Sequence, residues 1–129
     1  MSKSIIQTER APKAIGPYSQ AIKSDNLLFI SGQLPINPVS GELKSDIQAQ
    51  TRQVLENLKS ILAASGGSLE SVLKTTVFLK NLDDFNSFNA IYQEYFPKDA
   101  PARSTIEVSR IPRGALVEIE VVAEIEKAK

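Results

Sequence analysis

From Leu116 to Glu126 the side chains repeat with period two, the spacing of a β-strand whose successive residues point to opposite faces. Val117, Ile119, Val121, Ala123 and Ile125 form one set, and Leu116, Glu118, Glu120, Val122 and Glu124 the other. Both sets contain branched apolar residues. Such a strand belongs inside a sheet, with a core on one face and something to cover the apolar part of the other.

The neighbouring segments supply the rest of that sheet. Ser4 to Thr8 reads as a short edge strand, followed by a loop broken by Pro12, Gly16 and Pro17. Ser19–Ile22 and Leu27–Ser31 flank the turn formers Lys23–Asn26, which predicts a hairpin. Pro35, Pro38 and Gly41 make the Gly32–Lys44 stretch an ordered loop. Between Asp46 and Ala64, Ile47, Val54, Leu55, Leu58, Ile61 and Leu62 recur at helical spacing. Ser45 or Asp46 caps the start of that helix, and Gly66-Gly67 ends it. Val72–Lys80 reads as a strand with Leu73, Thr75, Val77 and Leu79 on one face. Phe85, Phe88, Tyr92 and Phe96 place an aromatic stripe on a second helix that stops at Pro97, and the stripe suits a core. Arg103–Val108 is a further strand, joined to the last one through Pro112 and Gly114.

The resulting order, strand, hairpin, helix, strand, helix, strand, strand, predicts an α+β two-layer sandwich, a mixed sheet covered on one face by two helices. Two helices leave the second face partly apolar, so pairing with other subunits is expected.

Composition narrows the chemistry. The 129 residues suit one domain spanning 1–129, and 42% hydrophobic with 23% charged residues is the range of folding chains. Lysine plus arginine and aspartate plus glutamate number 15 each, so the whole-molecule field offers little attraction to nucleic acid. No apolar run is long enough for a membrane span or signal segment, from which a cytoplasmic location is expected. The chain has neither cysteine nor histidine. That removes thiolate nucleophiles, Ser-His-Asp triads and the usual zinc ligands together, and no metal site is predicted. Catalysis must use carboxylates, Lys, Tyr, Arg, backbone groups or water.

The richest polar cluster on regular structure is Pro101-Ala102-Arg103-Ser104-Thr105, with Glu118 and Glu120 on what the connection suggests is the adjacent strand of a hairpin. Arg103 offers a rigid fork that fits a carboxylate, or it forms a structural ion pair with Glu118 or Glu120. Glu118 and Glu120 share a face, where one can act as acid/base, or both belong to a solvated surface. Tyr18 has a hydroxyl for a ligand or a ring for rim packing. Gly32, beside Ser31, lets backbone approach a ligand, although turn geometry explains it equally well. Asn89, among apolar neighbours on the second helix, orients a ligand or ties to backbone.

Gly16-Pro17-Tyr18-Ser19-Gln20-Ala21, Phe29-Ile30-Ser31-Gly32-Gln33-Leu34-Pro35, Val77-Phe78-Leu79, Pro101 to Val108 and Val117-Glu118-Ile119-Glu120 together resemble the RidA family of reactive intermediate/imine deaminases. The resemblance runs over nearly the whole chain. It implies a chorismate-mutase-like fold assembled as a homotrimer with clefts between subunits. It also implies hydrolysis of 2-iminobutanoate and 2-iminopropanoate to 2-oxo acids and ammonia, with no cofactor. By the same resemblance Arg103 grips the substrate carboxylate and Glu118 positions or activates the attacking water. Tyr18, Ser31, Gly32 and Asn89 shape the cleft, and Thr105, where many relatives have cysteine, is a contact residue. Two other functions stay open: a non-enzymatic protein that binds or senses small carboxylates, and an endoribonuclease or translation inhibitor.

Overall fold

The computed structural model describes residues 3–126. One six-stranded mixed sheet carries the fold, built from β1 (Lys3–Ile6), β2 (Ala21–Ser24), β3 (Leu27–Gln33), β4 (Val72–Leu79), β5 (Ala102–Glu107) and β6 (Val117–Glu124) in the spatial order β1-β2-β3-β6-β4-β5. Helices α1 (Ile47–Ala64) and α2 (Phe85–Tyr95) pack on one face. The α+β arrangement agrees with the periodicities, and the element ends differ from them by a few residues.

Local chemistry explains the boundaries. The β2–β3 hairpin closes on only Asp25 and Asn26, with Asp25 at φ 53°, the left-handed conformation that two-residue turns demand. Asp46, rather than Ser45, caps α1, its carboxylate accepting from Ala49 N at 3.0 Å. At the other end Gly66 takes φ 86° and Gly67 N donates to Leu62 O at 2.8 Å.

The core lies between helices and sheet. Leu55, Leu58, Ile61 and Leu62 of α1 and Phe88 of α2 meet Leu28 and Ile30 of β3, Val77 and Leu79 of β4, and Val117, Ile119 and Val121 of β6. Each fully buried side chain of this kind stabilises the fold by about 1.5–3 kcal/mol. Burial along β6 alternates as its period-two pattern requires, with Val117, Ile119, Val121 and Ala123 inward.

Three expectations are corrected. Leu73 is exposed while Val72 is buried, because the β4–β6 register slips between Val72 and Lys74 and reverses the alternation there. Phe85 does not join the core: it is 37% exposed at the start of α2, whereas Phe88, Tyr92 and Phe96 are buried. β5 and β6 do not form a hairpin. β5 pairs in parallel with β4, which in turn pairs antiparallel with β6, so β4 lies between them. A parallel partner needs a crossover, and α2 provides it between β4 and β5.

Among the described residues no helix packs on the opposite face of the sheet. Phe29 and Ile106 are each 46% exposed there, and Phe29 pairs across the strands with the outward Val122.

Candidate functional site

The residues singled out from the sequence fall into two clusters on opposite faces of the sheet. The first surrounds Glu118. Between Ile30 and Gln33 the β3–β6 register shifts by one residue, a bulge at Ser31-Gly32 that interrupts the pleat where β3 passes β6. Gly32 is required there for space. A Cβ at this position would collide with Glu118 Oε2 and stand 2.9 Å from Cδ. The carboxyl group therefore lies directly over the Gly32 backbone.

Ser31 is held by two bonds to the incoming chain, its N–H donating to Gln20 O at 2.9 Å and its hydroxyl to Ser19 O at 2.6 Å. Gln20 is the hub of this region and was not among the residues expected to matter. It is buried, its Oε1 accepts from Thr8 N at 2.7 Å, and its Nε2 donates to the carbonyls of Thr8, Ala11 and Pro12 at 3.0, 3.3 and 2.8 Å. A glutamine flanked by Tyr18, Ser19, Ala21 and Ile22 was the available signal, since an amide beside strand residues must satisfy several partners if buried. Gly16 turns the chain at φ 126°, Tyr18 N donates to Gly16 O at 2.9 Å, and the Tyr18 ring is left half-exposed.

Tyr18, Ser31, Gly32, Glu118 and Glu120 line one cleft of about 800 Å³, with Pro112 and Arg113 on its wall. Glu118 is half-buried, and its carboxyl is held above the ordinary carboxylate range first by desolvation and then by repulsion from Glu120. Such a group accepts and returns protons more readily than a solvated glutamate.

The second cluster surrounds Arg103. In the parallel β4–β5 ladder Arg103 stands beside Thr75 and Thr105 beside Val77, so both share the face of those buried residues, toward the helices. The guanidinium carbon lies 4.8 Å from the ring centroid of Tyr92, 5.5 Å from that of Phe85 and 5.6 Å from that of Phe88. The expected alternative of an Arg103 ion pair with Glu118 or Glu120 is absent among the described residues, where the ion pairs join Lys44 to Glu42, Arg52 to Glu94 and Lys59 to Glu56. The physical reason is the interposed β4, together with the opposite facing of the side chains. Asn89 Oδ1 and Thr105 Oγ1 are buried with no hydrogen-bond partner. Asn89, next to Phe88 on α2, has no partner for its Oδ1 and so does not tie to backbone through its oxygen. Burial raises the pKa of the Tyr92 hydroxyl, opposed by its hydrogen bond with Thr75 and by the Arg103 charge.

Chemically, the first cluster offers a proton-accepting carboxyl in a cleft, and the second a cationic fork with two unused polar atoms. Among the described residues no group of three His, Cys, Asp or Glu is placed to hold a metal ion, and no helix is long and apolar enough to cross a membrane.

A fold and site of this kind define a class that comparison with known proteins identifies. A family profile described as Endoribonuclease L-PSP matches residues 8–125. An RutC family protein of Pyrococcus horikoshii is 58% identical over 122 residues, covering 94% of this chain and 97% of that protein. Reactive Intermediate Deaminase A of Arabidopsis thaliana, a chloroplast protein, is 49% identical over 124 residues, covering 95% of this chain and 66% of that protein. Among solved structures, E. coli TdcF with bound serine superimposes with a TM-score of 0.91 at 42% identity, covering 95% of this chain and 99% of that one. The chain belongs to the RidA family, known equally by the endoribonuclease L-PSP and RutC names.

Proposed function

We propose that this protein hydrolyses reactive 2-imino acids such as 2-iminobutanoate and 2-iminopropanoate to 2-oxo acids and ammonia. The observation that carries the reading is the pairing of chemistries: a guanidinium with no carboxylate partner among the described residues, and a half-buried carboxyl with raised proton affinity. The first suits capture of a substrate carboxylate, the second activation of water. A relative named as a reactive intermediate deaminase and another solved with a bound amino acid support the same substrate class.

The reaction needs little else. The C2 atom of a protonated imine is already electrophilic. Arg103 holds the carboxylate bidentately while Glu118, as carboxylate, takes a proton from a water whose oxygen bonds to C2, and the C=N π electrons move to nitrogen. Proton return from Glu118 to that nitrogen then lets the C–N bond break. The bonding pair leaves with ammonia, while the C2 hydroxyl gives its proton to the Glu118 carboxylate and its O–H electrons form the C=O bond of the 2-oxo acid. Tyr18, Ser31 and Gly32 shape one wall, and Asn89 Oδ1 and Thr105 Oγ1 offer polar contacts on the other.

Because Arg103 and Glu118 occupy opposite faces of one sheet, the reading requires a second copy. A homotrimer in which the β5 edge of one protomer closes against the uncovered face of the next would bring one copy's Arg103 to its neighbour's Glu118 and cover Phe29 and Ile106.

The test is hydrolysis of freshly generated 2-iminobutanoate by wild type and Arg103→Ala against a no-protein control, since the imine also decays unaided. Arg103→Ala is expected to keep its assembly and lose at least about tenfold in kcat/KM, by analogy with truncation of one partner in a desolvated charge pair. Wild type that merely matches the control defeats the deaminase reading. Binding of 2-oxobutanoate without turnover would instead establish a carboxylate-binding protein.

A further inference from the structure

An arginine that must capture a carboxylate poses a physical problem before the substrate arrives. Its long side chain has to be held in one orientation, and the ordinary means, a protein carboxylate, would neutralise the charge and occupy the same N–H donors. We propose that Phe85, Phe88 and Tyr92 form an aromatic cage that orients the Arg103 guanidinium without neutralising it, which makes Phe85 and Tyr92 positioning residues for carboxylate capture. The proposal rests on the reading of Arg103 as the carboxylate fork and adds the device that prepares it.

Ring faces attract a cation within about 6 Å of their centroids through the quadrupole of the π system, while the in-plane N–H donors of the guanidinium stay available. Three rings of α2 meet that condition, at 4.8, 5.5 and 5.6 Å. Their spacing follows from the helix: positions 85, 88 and 92 fall on one face, turned toward β5.

The cage is itself anchored. Tyr92 and Phe88 rings pack with centroids 5.3 Å apart, and Phe88 is fully buried. The Tyr92 hydroxyl hydrogen-bonds Thr75 Oγ1 at 2.8 Å, and Thr75 is both fully buried and the register partner of Arg103 on the neighbouring strand. One buried contact thus fixes the nearest ring relative to the strand position beside the arginine. Phe85 is the open wall, exposed enough to be changed without leaving a void in the core.

The experiment uses the full chain with Phe85→Leu, Phe85→Tyr and Tyr92→Phe. Phe85→Leu keeps apolar bulk and removes a π face. It is expected to weaken 2-oxobutanoate binding and raise KM for 2-iminobutanoate about three- to tenfold with kcat little changed, since the interaction holds substrate and transition state alike. Phe85→Tyr restores the ring and recovers the wild-type KM. Tyr92→Phe keeps the ring but cuts the tie to Thr75, so its KM rises less than that of Phe85→Leu. Nuclear relaxation of the Arg103 Nε–H group tests the cage with no ligand present: ordered like the backbone in wild type, with an order parameter below about 0.6 in Phe85→Leu. If wild type neither binds 2-oxobutanoate nor accelerates imine decay, the deaminase reading falls while relaxation still decides the cage. An Arg103 side chain equally ordered in wild type and Phe85→Leu, or wild-type KM and affinity in Phe85→Leu, overturns the proposal.

Discussion

Replacing Gly32 with alanine should separate activity from stability. The added methyl would overlap Glu118 Oε2 and stand 2.9 Å from Cδ and 3.2 Å from Cγ. Carbon atoms pack at about 3.5–4.0 Å, so the carboxyl head must retreat by roughly 1 Å. The obstacle is the far end of a flexible side chain beside an open cleft, so the retreat is a rotation about side-chain bonds, costing about 0.5–1.5 kcal/mol if it leaves a rotamer minimum. Against this, alanine restricts the unfolded chain and contributes about 0.4–1 kcal/mol, because Gly32 is not among the glycines with positive φ, namely Gly16, Gly41, Gly66 and Gly114. The terms nearly cancel, and the melting temperature should stay within about 5 °C of wild type. Activity should not survive as well. A misplacement of about 1 Å in a catalytic group costs on the order of 10²-fold, which imine-decay kinetics on the folded variant would read directly. Wild-type kcat/KM in Gly32→Ala would refute the placement of Glu118 over Gly32 as the catalytic pose. A large drop in melting temperature would refute the claim that only the side chain yields.

Glu118→Gln tests the raised proton affinity. A carboxyl whose folded pKa exceeds its unfolded one binds more protons in the folded state between the two values, so its contribution to stability falls as pH rises through that window. The variant should therefore melt above wild type at pH 7, with the gap closing below the unfolded value near about 4.3, and should lose imine hydrolysis; a lower melting point than wild type at pH 7 contradicts the desolvation account. In the wild type, kcat/KM should fall as pH drops through the raised pKa. Gln20→Leu removes the hub of the Thr8–Pro12 segment and should cost about 2–4 kcal/mol, because backbone groups at Thr8, Ala11 and Pro12 lose their partners; denaturant melts showing under 1 kcal/mol would mean water replaces them. Phe29→Glu combined with Ile106→Glu should dissociate the proposed trimer in sedimentation, and a wild type that already sediments as a monomer would remove the case for a covered sheet face.

Much of the fold is legible in the sequence because each element carries its own period. β6 and α1 announce themselves through alternation and through the run from Val54 to Leu62, and Asp46 and Gly66 mark the ends of α1 in side-chain and backbone chemistry. Pairing is less legible, since short connections favour hairpins and nothing local in Arg110–Gly114 says that β4 will separate β5 from β6. The bulges at Leu73 and at Ser31-Gly32 are hidden for a related reason: a register shift is a relation between two strands, and only Gly32 left a trace of it. Among the site residues, Tyr18, Ser31, Gly32 and Glu118 do share a cleft, Arg103 and Thr105 share a face of β5, and Asn89 lies on α2 beside Phe88, whose ring stands 5.6 Å from the Arg103 guanidinium. That these are two places rather than one follows from topology alone.

The separation has an electrostatic consequence. Had β5 and β6 been neighbours, as their connection suggests, Arg103 and Glu118 would stand within reach on one face and satisfy each other. Bonded directly within one chain, with no space for a substrate between them, each group would lose the property that makes it reactive: the arginine its unclaimed donors, the glutamate its raised proton affinity. Inserting β4 between them and facing them oppositely keeps both uncompensated within a chain. Each is stabilised by other means, the guanidinium by aromatic faces and the carboxyl by partial access to water in its cleft. Uncompensated groups cost stability, and a chain keeps them only where neither can collapse onto the other. On this argument a variant that supplies Arg103 with a local carboxylate, for example Phe85→Glu in place of a cage wall, should become more stable and bind 2-oxobutanoate more weakly, and a variant that gains affinity would show that charge compensation is not what the topology prevents.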